Sequence, residues 1–106
     1  MITYDDFAKL EIRIGTIATA ERVEGANKLL KLSVNFGDET RQIVSGIAEW
    51  YAPEALLGRQ APFLINLEPR TIRGVESQGM ILAASVDERA VLLCPDELVP
   101  TGAEIR

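Results

Sequence analysis

The connection from Asn66 to Met80 carries two arginines, a serine, a glutamine, two glycines and a proline between two apolar segments. A link that only reverses the chain needs none of the charged or amide groups. Cationic and planar polar groups held between strands are what a surface uses to grip phosphates and unpaired bases. Arg70 and Arg73 are separated by Thr71 and Ile72. In an extended segment that spacing sets them about 10 Å apart, within reach of phosphates along one strand. The flanking Glu68 and Glu76 offer the competing reading, simple ion pairing. Lys28, Lys31 and Arg41 form a second cationic group, equally readable as a solvated strand face. Met80 is by default a core residue, but beside Ser77 and Gln78 it has the character to pack on a base or ribose.

Other chemistries find little support. Ser77 is followed two residues later by Gly79, but a nucleophile elbow also needs glycine two residues earlier, where Val75 stands. The chain has no histidine to serve as base and one cysteine, Cys94, so a Ser-His site and an ordinary zinc site are both excluded. Cys94 follows Val91, Leu92 and Leu93 and reads as a small buried core residue. The adjacent carboxylates, such as Asp5-Asp6 and Asp87-Glu88, fall where turns or helix starts are expected. No phosphate loop, dinucleotide fingerprint or calcium loop occurs. These observations point to a binding module and not an enzyme, with no metal and no cofactor.

The elements that would position the cationic groups read as follows. Thr3 caps a short helical turn over Tyr4–Leu10. Glu11–Val23 reads as a long strand in which Ile12 and Ile14 share one parity and Ile17 has the other, which predicts a bulge at Gly15-Thr16. Glu24–Asn27 is a turn signal, and Lys28–Phe36 alternates with Leu30, Leu32, Val34 and Phe36 on one face. Gly37–Thr40 closes a hairpin into Arg41–Ile47. Pro53–Leu57, stopped by Gly58, reads as a short helix. Gln60–Leu67, Gln78–Ser85 and Ala90–Cys94 are further strands, with a turn at Val86–Arg89. The tail from Pro95 to Arg106 has only a short strand signal at Ala103–Ile105. Three strands, a short helix and two more strands is the order of an all-β OB-fold, a five-stranded Greek-key barrel. The C-terminal strand and tail extend it, either to cover a barrel edge or to pair with a second chain.

The 106 residues suffice for one domain, taken as 1–106, and the 47% apolar content supports a folded core. No apolar run approaches the roughly 20 residues of a bilayer span, and the acidic start Met1–Asp6 does not resemble a signal peptide, so the expected location is the cytoplasm. The net charge of −5 opposes simple nucleic-acid binding. The acidity is concentrated at the ends, however. Residues 25–86 hold six bases and six acids, so the middle is free to present a locally positive face.

Asp6–Lys9, Ile12–Gly15, Val23–Leu29, Arg41–Ile47, Asn66-Leu67, Pro69-Arg70, Ile72–Met80, Pro95-Asp96 and Pro100–Gly102 carry a family likeness. On these segments the chain resembles the tRNA-binding domain appended to bacterial and archaeal methionyl-tRNA synthetases. The same family includes stand-alone dimeric tRNA-binding proteins and secretion-chaperone-like dimers. The resemblance implies an OB-fold that holds tRNA by shape without catalysis, as a homodimer, with or within a methionyl-tRNA synthetase. It assigns tRNA-facing roles to Lys28, Lys31, Arg41, Ser45, Asn66, Arg70, Arg73, Ser77, Gln78 and Met80. Glu68 and Thr71 stand where relatives often carry basic residues, which lowers the expected number of phosphate contacts. The alternative implied by the same likeness is a dimeric peptide-binding, secretion-chaperone-like protein.

Overall fold

A computed structural model describes residues 1–106. A helical turn, α1 (Tyr4–Ala8), is fixed by a reciprocal cap: the Asp6 amide donates to Thr3 Oγ1 at 3.2 Å, and the Thr3 amide donates to Asp6 Oδ2 at 3.0 Å. Strands β1 (Ile12–Val23), β2 (Ala26–Asn35) and β3 (Thr40–Ser45) form the expected antiparallel meander. A single 3-10 turn at Pro53–Ala55 leads to β4 (Gln60–Leu64), which pairs with the first half of β1. Further on come β5 (Arg70–Ile72), β6 (Val75–Ser77), β7 (Met80–Ile81), β8 (Ala83–Val86) and β9 (Arg89–Leu92). The main sheet runs β3-β2-β1-β4-β7, while β5-β6 and β8-β9 are separate two-stranded hairpins. This is the OB-fold barrel with its helical element between the third and fourth strands.

The predicted alternation of β2 holds: Leu30, Leu32, Val34 and the following Phe36 are all buried. They meet Ile17, Ile43, Leu56 and Phe63, and the Phe36 and Phe63 rings pack edge to face at 5.5 Å. The bulge expected at Gly15-Thr16 does not form: Ile17 joins the core, while Ile14 lies on the other face beside Ala103 and Ile105 of the tail. Gly15 stays in register opposite Ala61, and the shift falls between Ile17 and Thr19 on the β2 side. Glycine at 15 answers a different need, because a Cβ there would lie 2.4 Å from Val34 Cγ1 and 2.7 Å from the Phe36 ring. The strand must pass close over the core at that point.

Where β2 ends, the C-terminal tail takes its place beside β1. The Ile14 amide donates to Ala103 O and the Gly102 amide to Ile14 O, both at 2.8 Å, and the Ile105 amide donates to Ile12 O. The Gln60 side chain secures the tail by donating to Val99 O at 2.8 Å and accepting from the Val99 amide at 3.0 Å. Pro62 lies opposite Ile14 in β4. Since both backbone groups of Ile14 face the tail, no β1–β4 bond requires the missing proline N–H. The tail therefore covers a barrel edge, one of its two predicted uses.

Three expectations are corrected. The expected strand Gln78–Ser85 breaks at Leu82, whose amide bonds Pro62 O, so only β7 belongs to the barrel. The Asn66–Met80 connection folds into its own hairpin. Cys94 is exposed, because β9 packs against the core only through Ala90 and Leu92 and the chain turns away after them. A prediction follows from the close approach at residue 15. Gly15→Ala should lower unfolding free energy by about 1–3 kcal/mol, read as a lower urea midpoint at unchanged slope.

Candidate nucleic-acid interface

The β5-β6 hairpin is closed by two residues, Arg73 and Gly74, between the paired Ile72 and Val75. Both have positive φ, 52° and 79°, the geometry of the turn that matches strand twist. Asparagine or glycine is the favoured residue at the first position, and an arginine there costs about 1–2 kcal/mol. The turn therefore carries a guanidinium at its tip against local preference, a pattern concentrated at functional sites.

Polar side chains fix this hairpin to the barrel. Ser77 is buried; its Oγ accepts from the Val44 amide at 2.9 Å and donates to Gly79 O at 2.9 Å. Gln42 makes two bonds with Gln78 and a third with Glu76. The Gln42 amide donates to Gln78 Oε1 at 3.0 Å, the Gln78 amide to Gln42 O at 2.8 Å, and Gln42 Nε2 to Glu76 O at 2.7 Å. Arg41 reaches across the same seam to Ile65 O and, at 3.2 Å, to Gln78 O. Its Nε pairs with Glu39 at 2.6 Å. That hydrogen bond, the largest influence on Glu39, holds its carboxyl below the usual range.

With the hairpin so placed, its tip stands over the β1–β2 turn. A hollow of about 450 Å³ is lined by Gly25–Leu29, Ile72 and Arg73. A second, about 300 Å³, is lined by Glu21, Arg22, Val23, Glu24, Lys31, Arg73 and Val75. Arg73 lines both. A groove of about 400 Å³ continues along the sheet face past Lys31, Arg41, Gln42 and Gln78. The structure thus gathers Lys28, Lys31 and Arg73, with Gln78 and Arg41 further along. It adds Arg22, which sequence reasoning missed; only its place beside the β1–β2 turn, across from the Arg73 tip, could have signalled it. Arg22, Lys28 and Arg73 have no carboxylate within ion-pair distance, whereas Lys31 pairs with Glu21 at 2.7 Å.

The remaining candidates lie elsewhere. Arg70 sits exposed at the base of the hairpin opposite Ser77, and neither it nor Arg73 pairs with Glu68 or Glu76. Ser45 is half-buried opposite Leu30 on β2. Asn66 ties the end of β4 to the N-terminal segment, accepting from the Glu11 amide at 2.8 Å and donating to Lys9 O at 2.6 Å. Met80 is part-exposed opposite Leu64. No aromatic residue lines the two hollows or the groove, so the surface offers charge and hydrogen bonds in place of base stacking.

The molecule is thus a small OB-fold barrel in which three cations without carboxylate partners, Arg22, Lys28 and Arg73, surround two adjoining hollows. The family model described as "Putative tRNA binding domain" matches residues 12–104, and the chain belongs to that family of non-catalytic binding domains. The methionine–tRNA ligase of Deinococcus radiodurans is 52% identical over 107 residues, covering 100% of this chain and 16% of that enzyme. That of Archaeoglobus fulgidus is 53% identical over 104 residues, 98% of this chain and 16% of the enzyme. The chain thus spans about one sixth of the length of these relatives. Among solved structures, a MetRS related protein from Pyrococcus horikoshii superposes with a TM-score of 0.95 at 39% identity, covering 100% of this chain and 98% of that one. A chaperone CsaA from Bacillus anthracis str. Ames follows at 0.91 and 30%, covering 100% and 99%.

The buried bonds of Ser77 separate support from contact. Ser77→Ala leaves the Val44 amide unpaired and should cost about 1–3 kcal/mol of stability, measured by chemical denaturation. Arg73→Ala should cost none, because the arginine makes no bond and occupies a strained turn position.

Proposed function

We propose that this chain is a tRNA-holding module that acts as a homodimer, within or beside a methionyl-tRNA synthetase in the cytoplasm. The observation that carries this is the convergence of Arg22, Lys28, Lys31 and Arg73 around two adjoining hollows, in a chain whose family is a tRNA-binding domain. Arg73 and Lys28 take phosphates from opposite sides of the cleft, Arg22 adds to them, Arg70 contacts the backbone at the hairpin base, and Lys31 is shared with Glu21. Gln78 offers its remaining amide capacity to sugars or exposed bases. Ser77, Arg41 and Asn66 enter as supports that hold the hairpin, the seam and the end of β4. Held near a catalytic domain, such a module raises the local concentration of tRNA without any new contact to the reacting atoms.

The dimer is supported by surface chemistry. Leu93 and Ile105 are exposed around an apolar hollow of about 260 Å³ on the tail, Leu98 is exposed in a neighbouring hollow that shares Cys94 and Pro95 with it, and β8 is exposed along its whole length. Sedimentation at micromolar concentration should give about 23 kDa, twice the 11.6 kDa chain, and Leu98→Asp should shift it toward the single-chain mass.

A second reading, a dimeric peptide-binding chaperone-like module, is favoured by the same apolar hollow and by the likeness to a protein described as chaperone CsaA. Binding to labelled tRNA across a salt series separates the two. Four phosphate contacts give a log–log slope of about −3, and Arg73→Ala should weaken binding and flatten the slope by about 0.7–0.9 at an unchanged melting temperature. A salt-independent interaction, or capture of peptide that tRNA does not displace, would favour the chaperone reading.

A further inference from the structure

The Glu21–Lys31 pair sits at the junction of two parts of the cationic surface. The two residues are direct partners in the β1–β2 register, and Lys31 Nζ lies 2.7 Å from Glu21 Oε1. Both line the 300 Å³ hollow that holds Arg22 and Arg73, and both line the groove that holds Arg41, Gln42 and Gln78. A polyanion running from the hairpin cleft onto the sheet face therefore has to cross this pair.

The pair is open to water, with 36% of the Lys31 side chain and 63% of the Glu21 side chain exposed. Ion pairs of that kind are weak, so a phosphate can take Lys31 from its carboxylate. The displaced carboxylate remains on the neighbouring strand and repels the same phosphate. Glu24 faces the same hollow without a partner, Arg22 and Arg73 face it as free cations, and Arg41 beyond it is held by Glu39.

We infer that Glu21 is the affinity-setting residue of the RNA track: it occupies Lys31 in the free protein and limits the grip on the RNA backbone in the complex. The inference rests on the tRNA-holding reading above. It gives the module a built-in means of exchange, since a carrier that supplies tRNA to another site must also release it. One carboxylate within reach of Lys31 thus governs how many phosphate contacts the cleft can complete.

The test is a salt series with labelled tRNA on wild type, E21Q, E24Q and the double variant E21Q/K31Q, each checked for an unchanged melting temperature. E21Q should bind about fivefold tighter at low salt, the factor that one nearby unit charge supplies in water. Its slope should steepen by about 0.7–0.9 as Lys31 becomes a full phosphate contact. E24Q should gain less, with the slope unchanged, and E21Q/K31Q should lose the gain. Wild-type binding by E21Q, or a gain no larger than that of E24Q, overturns the role of Glu21 while leaving the tRNA reading intact. Absence of tRNA binding in wild type and every variant overturns the tRNA reading and this inference together.

Discussion

Everything about the candidate interface depends on how the barrel closes between β3 and the β6–β7 segment. The main sheet ends at β3 on one side and β7 on the other, and no regular ladder joins them. Side chains replace it: Ser77 Oγ on the Val44 amide, Gln78 Oε1 on the Gln42 amide, and Gln42 Nε2 on Glu76 O. A buried amide left unpaired is costly, so these polar residues are held by the needs of the backbone. The same bonds set the β5-β6 hairpin over the β1–β2 turn. Barrel closure and placement of Arg73 are thus one event, and the seam positions the cation without touching a ligand itself.

The electrostatics are local in character. The chain carries a net charge of −5, yet its field is not uniform. Lys9, Arg13, Lys31, Arg41 and Arg106 are each matched by a carboxylate within 4 Å. Arg59 lies over the Tyr51 ring at 5.7 Å. The cations left without such partners include Arg22, Lys28 and Arg73, and these line two hollows that meet at Arg73. Long-range repulsion from the acidic ends is damped beyond a Debye length of about 8 Å at physiological salt, so a compact group of unpaired cations can attract a phosphate chain despite the overall sign. A small number of salt-sensitive contacts is consistent with the tRNA-holding role proposed above.

Much of the barrel was legible because its periodicities are strong. The alternation of Leu30, Leu32, Val34 and Phe36 located β2 and its buried face, and Pro53 with Gly58 bracketed the short turn before β4. The parity change between Ile14 and Ile17 suggested a bulge, but the two residues simply lie on opposite faces, Ile17 in the core and Ile14 under the tail, and glycine at 15 answers the close packing on Val34 and Phe36. The β5-β6 hairpin was hidden because Arg-Thr-Ile and Val-Glu-Ser are too short to show a period and Arg73-Gly74 lacks the usual asparagine. Cys94 reads as buried in the sequence because its apolar neighbours Val91, Leu92 and Leu93 have the pattern of a core strand. At the site, residue type pointed to Arg73, Lys28 and Lys31, which the fold does bring together. The same logic singled out Ser77 and Asn66, whose polar groups face the backbone. Arg22 escaped because only the folded hairpin shows what lies opposite it.

Engagement of RNA by the cleft between the two hairpin tips can be read from backbone amide shifts of the isotopically labelled protein during titration with tRNA. Perturbations concentrated at residues 21–31 and 70–76 are the expected result. Perturbations confined to residues 93–105, around the apolar hollow of the tail, would contradict it and move the binding surface to the opposite chemistry.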